Sequence, residues 1–152
     1  DLHRVDRRQR QMCIRDSWYP YPQQQIKALK TLAREIIRRY GITPDNVLGH
    51  SDIAPLRKQD PGRLFPWKAL AAQGVGAWPD PLRVQKYLAG REPGTPTDVF
   101  TLQSALRRYG YDRIPLSGVL DEDTRKTVSA FQMHFRPENT DGTPDAETEA
   151  IA

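Results

Sequence analysis

Gly49-His50-Ser51-Asp52-Ile53-Ala54-Pro55-Leu56-Arg57-Lys58-Gln59-Asp60-Pro61-Gly62 is the stretch on which the reading of this chain turns. It holds His50, one of three histidines, and ten residues further on Asp60, set ahead of Pro61 and Gly62. A neutral imidazole and a carboxylate are both ligands that a zinc ion accepts. Lys58, two residues before Asp60, is a cation suited to stabilising negative charge on a polarised carbonyl. Gly49, Pro55, Pro61 and Gly62 predict a loop rather than a helix. A loop held at both ends by rigid residues can bring two distant ligands to one point.

Working outward, Asn46-Val47-Leu48-Gly49 reads as a short strand that delivers His50 to the rim of a sheet. Before it, Ile26, Leu29, Ala33, Ile36, Ile37 and Tyr40 recur at helical spacing and predict a helix over 24–40. Lys27, Lys30, Arg34, Arg38 and Arg39 fill its other face, which reads as solvated, and Glu35 reads as a surface residue. Gly41 ends this helix and Pro44 prevents its resumption. After the loop, Leu64-Phe65-Pro66-Trp67 is an aromatic anchor, 68–72 a short helix released by Gly74 and Gly76, and Trp78-Pro79-Asp80-Pro81 a domain edge. One strand alone has no partner for its backbone groups. The remaining strands are therefore expected upstream of Trp18, which makes the chain a fragment lacking its native N-terminal part. Asp1 to Asp16 has five arginines and no apolar period, and reads as a non-native or disordered arm. His3 lies in that arm and is not read as a ligand.

The run Val47-Leu48-Gly49-His50-Ser51-Asp52-Ile53-Ala54-Pro55, then Arg57-Lys58, Asp60-Pro61-Gly62 and Phe65-Pro66-Trp67, resembles the zinc-dependent N-acetylmuramoyl-L-alanine amidases of the AmiD/AmpD type. That family shares a mixed sheet flanked by helices with peptidoglycan recognition proteins and phage-type amidase lysozymes. The resemblance covers about residues 18–80. It implies that His50 and Asp60 are two of three zinc ligands and that Lys58 is a catalytic residue near the scissile carbonyl. The implied reaction is hydrolysis of the amide between N-acetylmuramic acid and the L-alanine of the stem peptide. One departure is Leu56, where the family usually has glycine; the leucine costs backbone freedom and leaves the ligands in place. The family's first zinc histidine and its general-base glutamate precede the 24–40 helix, and no upstream segment here resembles the strands that carry them.

Beyond Leu82 the pattern changes. Leu82 to Ala89 is a short helical or extended connector, and Gly90-Arg91-Glu92-Pro93-Gly94-Thr95-Pro96 is the clearest linker in the chain. Thr97 or Asp98 can cap a helix whose apolar stripe is Val99, Leu102, Leu106 and Tyr109, ended by Gly110. Gly118-x-x-Asp121-x-x-Thr124 then recurs as Gly142-x-x-Asp145-x-x-Thr148, a glycine turn followed by an Asp-capped helix start. The first copy opens a helix through Val128, Phe131 and Phe135, read as core. His134 reads as a surface or stacked histidine rather than a ligand, and Tyr109 and Tyr111 as rings that stack on a glycan. The repeat, with Ala130-Phe131-Gln132 and Phe135-Arg136-Pro137, resembles the peptidoglycan-binding domain appended to cell-wall hydrolases.

Bulk properties narrow the alternatives. The 152 residues are 38% apolar and 28% charged, within the range of a folded globular chain. Cys13 is alone, which excludes an intrachain disulfide and a cysteine zinc cluster. There is no run of 18 apolar residues to span a bilayer. The net charge of +4 suits an anionic partner, but no Arg-rich recognition helix or aromatic-rich strand supports a nucleic-acid binder. The expected fold class is α+β: the C-terminal part of a mixed-sheet amidase domain, then a small three-helix peptidoglycan-binding domain. The expected boundaries are 1–16 for the arm, 17–81 for the amidase portion, 82–96 for the linker and 97–152 for the binding domain, itself cut by the chain end. The expected partner is peptidoglycan or its muropeptides, with no nucleic acid, a monomeric state, and membrane anchoring only through a missing N-terminus. The expected location is the periplasm or outer membrane. With the zinc centre incomplete, the fragment is expected to bind wall without cleaving it; a binding module without catalysis is the competing reading.

Overall fold

The structure, a computed structural model, describes residues 19–152; the arm expected over 1–16 lies outside the described residues. Among the described residues the chain folds into seven α-helices. Helix α1 spans Gln23–Tyr40, and Gly41 ends it in the left-handed conformation, with its N–H donating to the Ile37 carbonyl. The predicted apolar stripe is present but thinly covered: Ile26, Ala33 and Ile37 are half-buried, while Leu29, Ile36 and Tyr40 are 38%, 40% and 70% exposed. Lys30 Nζ donates to Gln73 Oε1 at 2.6 Å and ties α1 to the segment that follows the site.

The expected strand over 46–49 is not formed, and no strand occurs among the described residues, so the mixed sheet is not seen. Pro44–Asn46 makes a 3₁₀ turn instead, braced by Asn46 Nδ2 donating to Thr43 Oγ1 at 2.7 Å. Val47 and Gly49 do have extended dihedrals, but no neighbouring segment among the described residues pairs with them. An extended segment without a ladder partner is not a strand. The loop expectation for 49–62 is corrected at its start, where His50–Ile53 forms one helical turn, α2. A short helix α3, Trp67–Ala71, follows, and α4 spans Pro81–Leu88.

The last three helices are α5 (Val99–Tyr109), α6 (Glu122–Phe135) and α7 (Ala146–Ile151). Leu102, Leu106, Tyr111, Ile114, Val128, Phe131 and Phe135 form their core. Each such large apolar side chain contributes about 1.5–3 kcal/mol on burial. The repeat seen in the sequence builds two matching cages. Gln103 accepts from Gly118 N at 2.8 Å and donates to Thr124 Oγ1 at 2.9 Å. Gln132 accepts from Gly142 N at 2.9 Å and donates to Thr148 Oγ1 at 3.0 Å. Asp121 and Asp145 cap the Thr124 and Thr148 amides, at 2.7 and 2.9 Å. Arg136 pairs with Asp145 and adds the neighbouring Glu147.

The two halves are joined by packing. Helices α2 and α3 rest on α6, and α4 rests on α7. The stretch after α4 also folds back: Ala146 N donates to Thr95 O at 2.8 Å, and Arg91 bridges to Glu149.

Candidate metal centre and its supports

Gly49 is the N-cap of α2, and His50 is its first residue. A Cβ on Gly49 would lie 2.6 Å from Pro61 Cδ, so only glycine lets these two parts of the stretch close on each other. The closure is fixed by Ser51 N donating to Asp60 O at 2.9 Å and by Tyr21 hydroxyl donating to Pro61 O at 2.9 Å. Arg57 and Lys58 amides both bond Ala54 O, which turns the chain back toward His50. The outcome is the convergence that the spacing predicts: His50 Nδ1 and Asp60 Oδ2 lie 2.9 Å apart. The His50 side chain is 53% exposed and that of Asp60 27%, so a cation has access to both. Lys58 is half-buried in the same turn, two residues from Asp60. Leu56 requires no glycine, since Ala89 is the non-glycine residue of positive φ among the described residues.

The donor chemistry suits zinc. An imidazole nitrogen facing a carboxylate oxygen across a shared proton can share a divalent cation in its place. Among the described residues no group of three or more His, Cys, Asp and Glu side chains gathers; His50 and Asp60 are two side chains of types that zinc accepts, where a catalytic zinc site takes three.

Asp52 was not singled out by the sequence, yet it is the best-tied side chain of the stretch. Its carboxylate is 4% exposed. Oδ2 accepts from Gly49 N at 2.7 Å and lies 2.8 Å from His134 Nδ1; Oδ1 accepts the Tyr111 hydroxyl at 2.7 Å. Of the two positions expected for His134, surface or stacked, the structure has the stacked one: it is 2% exposed and stacks between Trp67, centroids 3.8 Å apart, and Phe135, 3.9 Å apart. Tyr111 is also not a free glycan platform, being 5% exposed within the core. Burial, then the adjacent Asp52 charge, pushes its hydroxyl well above the ordinary phenol value. An aspartate three residues after a glycine, placed to accept from that glycine's amide at a helix start, is the local signal that could have flagged Asp52. Its partners, 59 and 82 residues away, carry no local signal.

Comparison with known proteins gives these residues a family context. The family model described as N-acetylmuramoyl-L-alanine amidase matches residues 9–63, and that described as "Putative peptidoglycan binding domain" matches residues 95–151. The chain is 56% identical over 133 residues to N-acetylmuramoyl-L-alanine amidase AmiD of Escherichia coli, covering 88% of this chain and 48% of AmiD. It is 45% identical over 53 residues to the 1,6-anhydro-N-acetylmuramyl-L-alanine amidase AmpD of Enterobacter cloacae, covering 35% of this chain and 28% of AmpD. Among solved structures, E. coli AmiD in complex with the substrate anhydro-N-acetylmuramic acid-L-Ala-D-gamma-Glu-L-Lys superposes with a TM-score of 0.80. It shares 54% identity, over 87% of this chain and 51% of that one. AmpDh3 of Pseudomonas aeruginosa gives a TM-score of 0.76 at 49% identity, over 87% and 52%. The chain thus spans about half the length of AmiD.

Proposed function

We propose that the chain, matched over 9–63 by the N-acetylmuramoyl-L-alanine amidase model and over 95–151 by the peptidoglycan-binding model, serves zinc-dependent hydrolysis of the amide between N-acetylmuramic acid and L-alanine in peptidoglycan. The observation that carries this reading is the meeting of His50 and Asp60 at 2.9 Å, in a chain 56% identical to AmiD over 133 residues.

In this reading His50 and Asp60 hold the metal. Bound zinc supplies a Lewis acid for the carbonyl and a water whose pKa is lowered to about 7. Lys58 places its ammonium where the carbonyl oxygen gains negative charge. Gly49, Pro61 and the Ser51–Asp60 backbone bond keep the two donors in register. The peptidoglycan-binding domain holds the wall beside the site, and the partner is a glycan strand or muropeptide rather than nucleic acid. In this reading the protein acts in the bacterial envelope, in the periplasm or at the outer membrane.

The test is release of free stem peptide from purified sacculi by the chain, with zinc added and with a chelator. Zinc-dependent release that His50→Ala or Asp60→Ala abolishes supports the amidase; Lys58→Ala is expected to lower turnover by about 10²–10³. The second reading, a wall-binding module without catalysis, is favoured by the two-donor count among the described residues. A chain that pellets with sacculi but releases nothing with or without zinc would establish it.

A further inference from the structure

We propose that His134, carried by the peptidoglycan-binding module, is a positioning residue for His50 and acts through Asp52. The inference rests on the reading of His50 as a metal ligand. It makes the wall-binding module part of the support of the metal centre, in addition to its hold on the wall.

The argument starts from the length of α2. A helix of four residues cannot hold its own orientation, because nucleation consumes more order than one turn returns. Its direction, and with it the direction of the His50 ring, comes from tertiary ties. One tie is internal to the stretch, Ser51 N to Asp60 O at 2.9 Å. The other runs through Asp52, the third residue of the turn. Asp52 Oδ2 accepts the Gly49 N–H at 2.7 Å and so closes the N-terminus from which His50 projects. The same oxygen meets His134 Nδ1 at 2.8 Å.

His134 is itself immobilised. It belongs to α6, is 2% exposed, and its ring lies between those of Trp67 and Phe135 at interplanar angles of 16° and 7°. Trp67 comes from the amidase segment and Phe135 from the module, so the sandwich also clamps the two halves. Tyr111, from the module too, fixes the other carboxylate oxygen at 2.7 Å. Without these donors the Asp52 carboxylate would be buried with a single amide for partner, and it would turn toward water, taking the N-cap with it. A residue beyond the ligands that fixes ligand orientation typically changes metal affinity 10–100-fold when lost.

The test uses the full chain and two substitutions at one position. His134→Phe keeps a ring between Trp67 and Phe135 but removes the donor; His134→Asn restores a donor near the place of Nδ1. Hydrogen exchange at the Gly49, Ser51 and Ala54 amides reads the order of α2. A Zn2+ titration followed on the His50 ring resonances reads the ligand. In His134→Phe the α2 amides are expected to exchange at least tenfold faster and the apparent Zn2+ Kd to rise about tenfold. In His134→Asn both are expected to return most of the way to the parent values, while the module amides of Leu102 and Tyr111 stay protected in both. Tyr111→Phe, which deletes the donor on the other oxygen, is expected to give the same pattern more weakly and serves if His134→Phe does not fold. Unchanged α2 exchange in these variants, or loosening of the module amides to the same degree, overturns the proposal. If Zn2+ leaves the His50 ring of the parent unperturbed, the metal reading fails and the exchange measurement still decides whether His134 orders α2.

Discussion

Single side chains show where the sequence could be read and where it could not. The meeting of His50 and Asp60 was legible because residue type and spacing set both within a dozen positions of one stretch. Gly142 was legible as a turn, but its severity was not. Its φ is +75°, and a Cβ there would lie 2.5 Å from the Arg125 carbonyl oxygen. Gly142→Ala is therefore expected to destabilise by about 2 kcal/mol or more. Gly94→Ala, where nothing lies within 4 Å, is expected to stay within about 0.5 kcal/mol. Urea denaturation of the two variants checks the contrast. Gln103 and Gln132 were invisible as structural residues, since a glutamine in a helix looks like surface. Both are 0% exposed. Gln132→Leu leaves the Gly142 N–H and the Thr143 carbonyl without their partner, and a loss of about 1–3 kcal/mol is expected on the same measurement. Tyr111 sets a pH limit. Its folded-state value lies above the unfolded value of about 10. The fold thus keeps a proton that the unfolded chain has lost, so stability is level below about pH 10 and falls as pH rises beyond it. Denaturation midpoints between pH 8 and 11 are expected to fall less steeply in Tyr111→Phe.

Among the helices, periodicity located α1, α5 and α6 to within a few residues, because an apolar stripe with a glycine stop, or in α6 a proline just past the end, is a local signal. It could not say how well each stripe is covered. None of α1 is fully buried, whereas α6 buries Val128, Ala130, Phe131 and Phe135 among others. Local opening follows such differences. Amides in α1 are expected to exchange well before those of α6, and equal protection of the two would contradict the packing described. The one-turn α2 escaped prediction for the opposite reason. Its neighbours Pro55 and Gly49 signal a loop, and the interactions that wind it come from residues 59 and 82 positions away.

For the entire chain, the division into an amidase portion and a binding domain describes the sequence better than the mechanics. Helices α2 and α3 use α6 as their floor, and Trp67 stacks on His134 across the boundary. Thermal unfolding followed by tryptophan fluorescence and by near-ultraviolet circular dichroism is expected to show one coincident transition for this shared core; two separated transitions would mean that the boundary is loose. The segment expected as a linker has a further consequence. With α4 seated on α7, Thr95 bonded to Ala146 and Arg91 clasped to Glu149, it offers no slack. A hydrolase on a slack leash trims every bond within a sphere around its anchor. On the function proposed above, a protein built this way would act as a gauge: with the module on the glycan mesh, His50 would stand at one set offset from it, and the spacing of the wall itself would select which stem peptides come within reach.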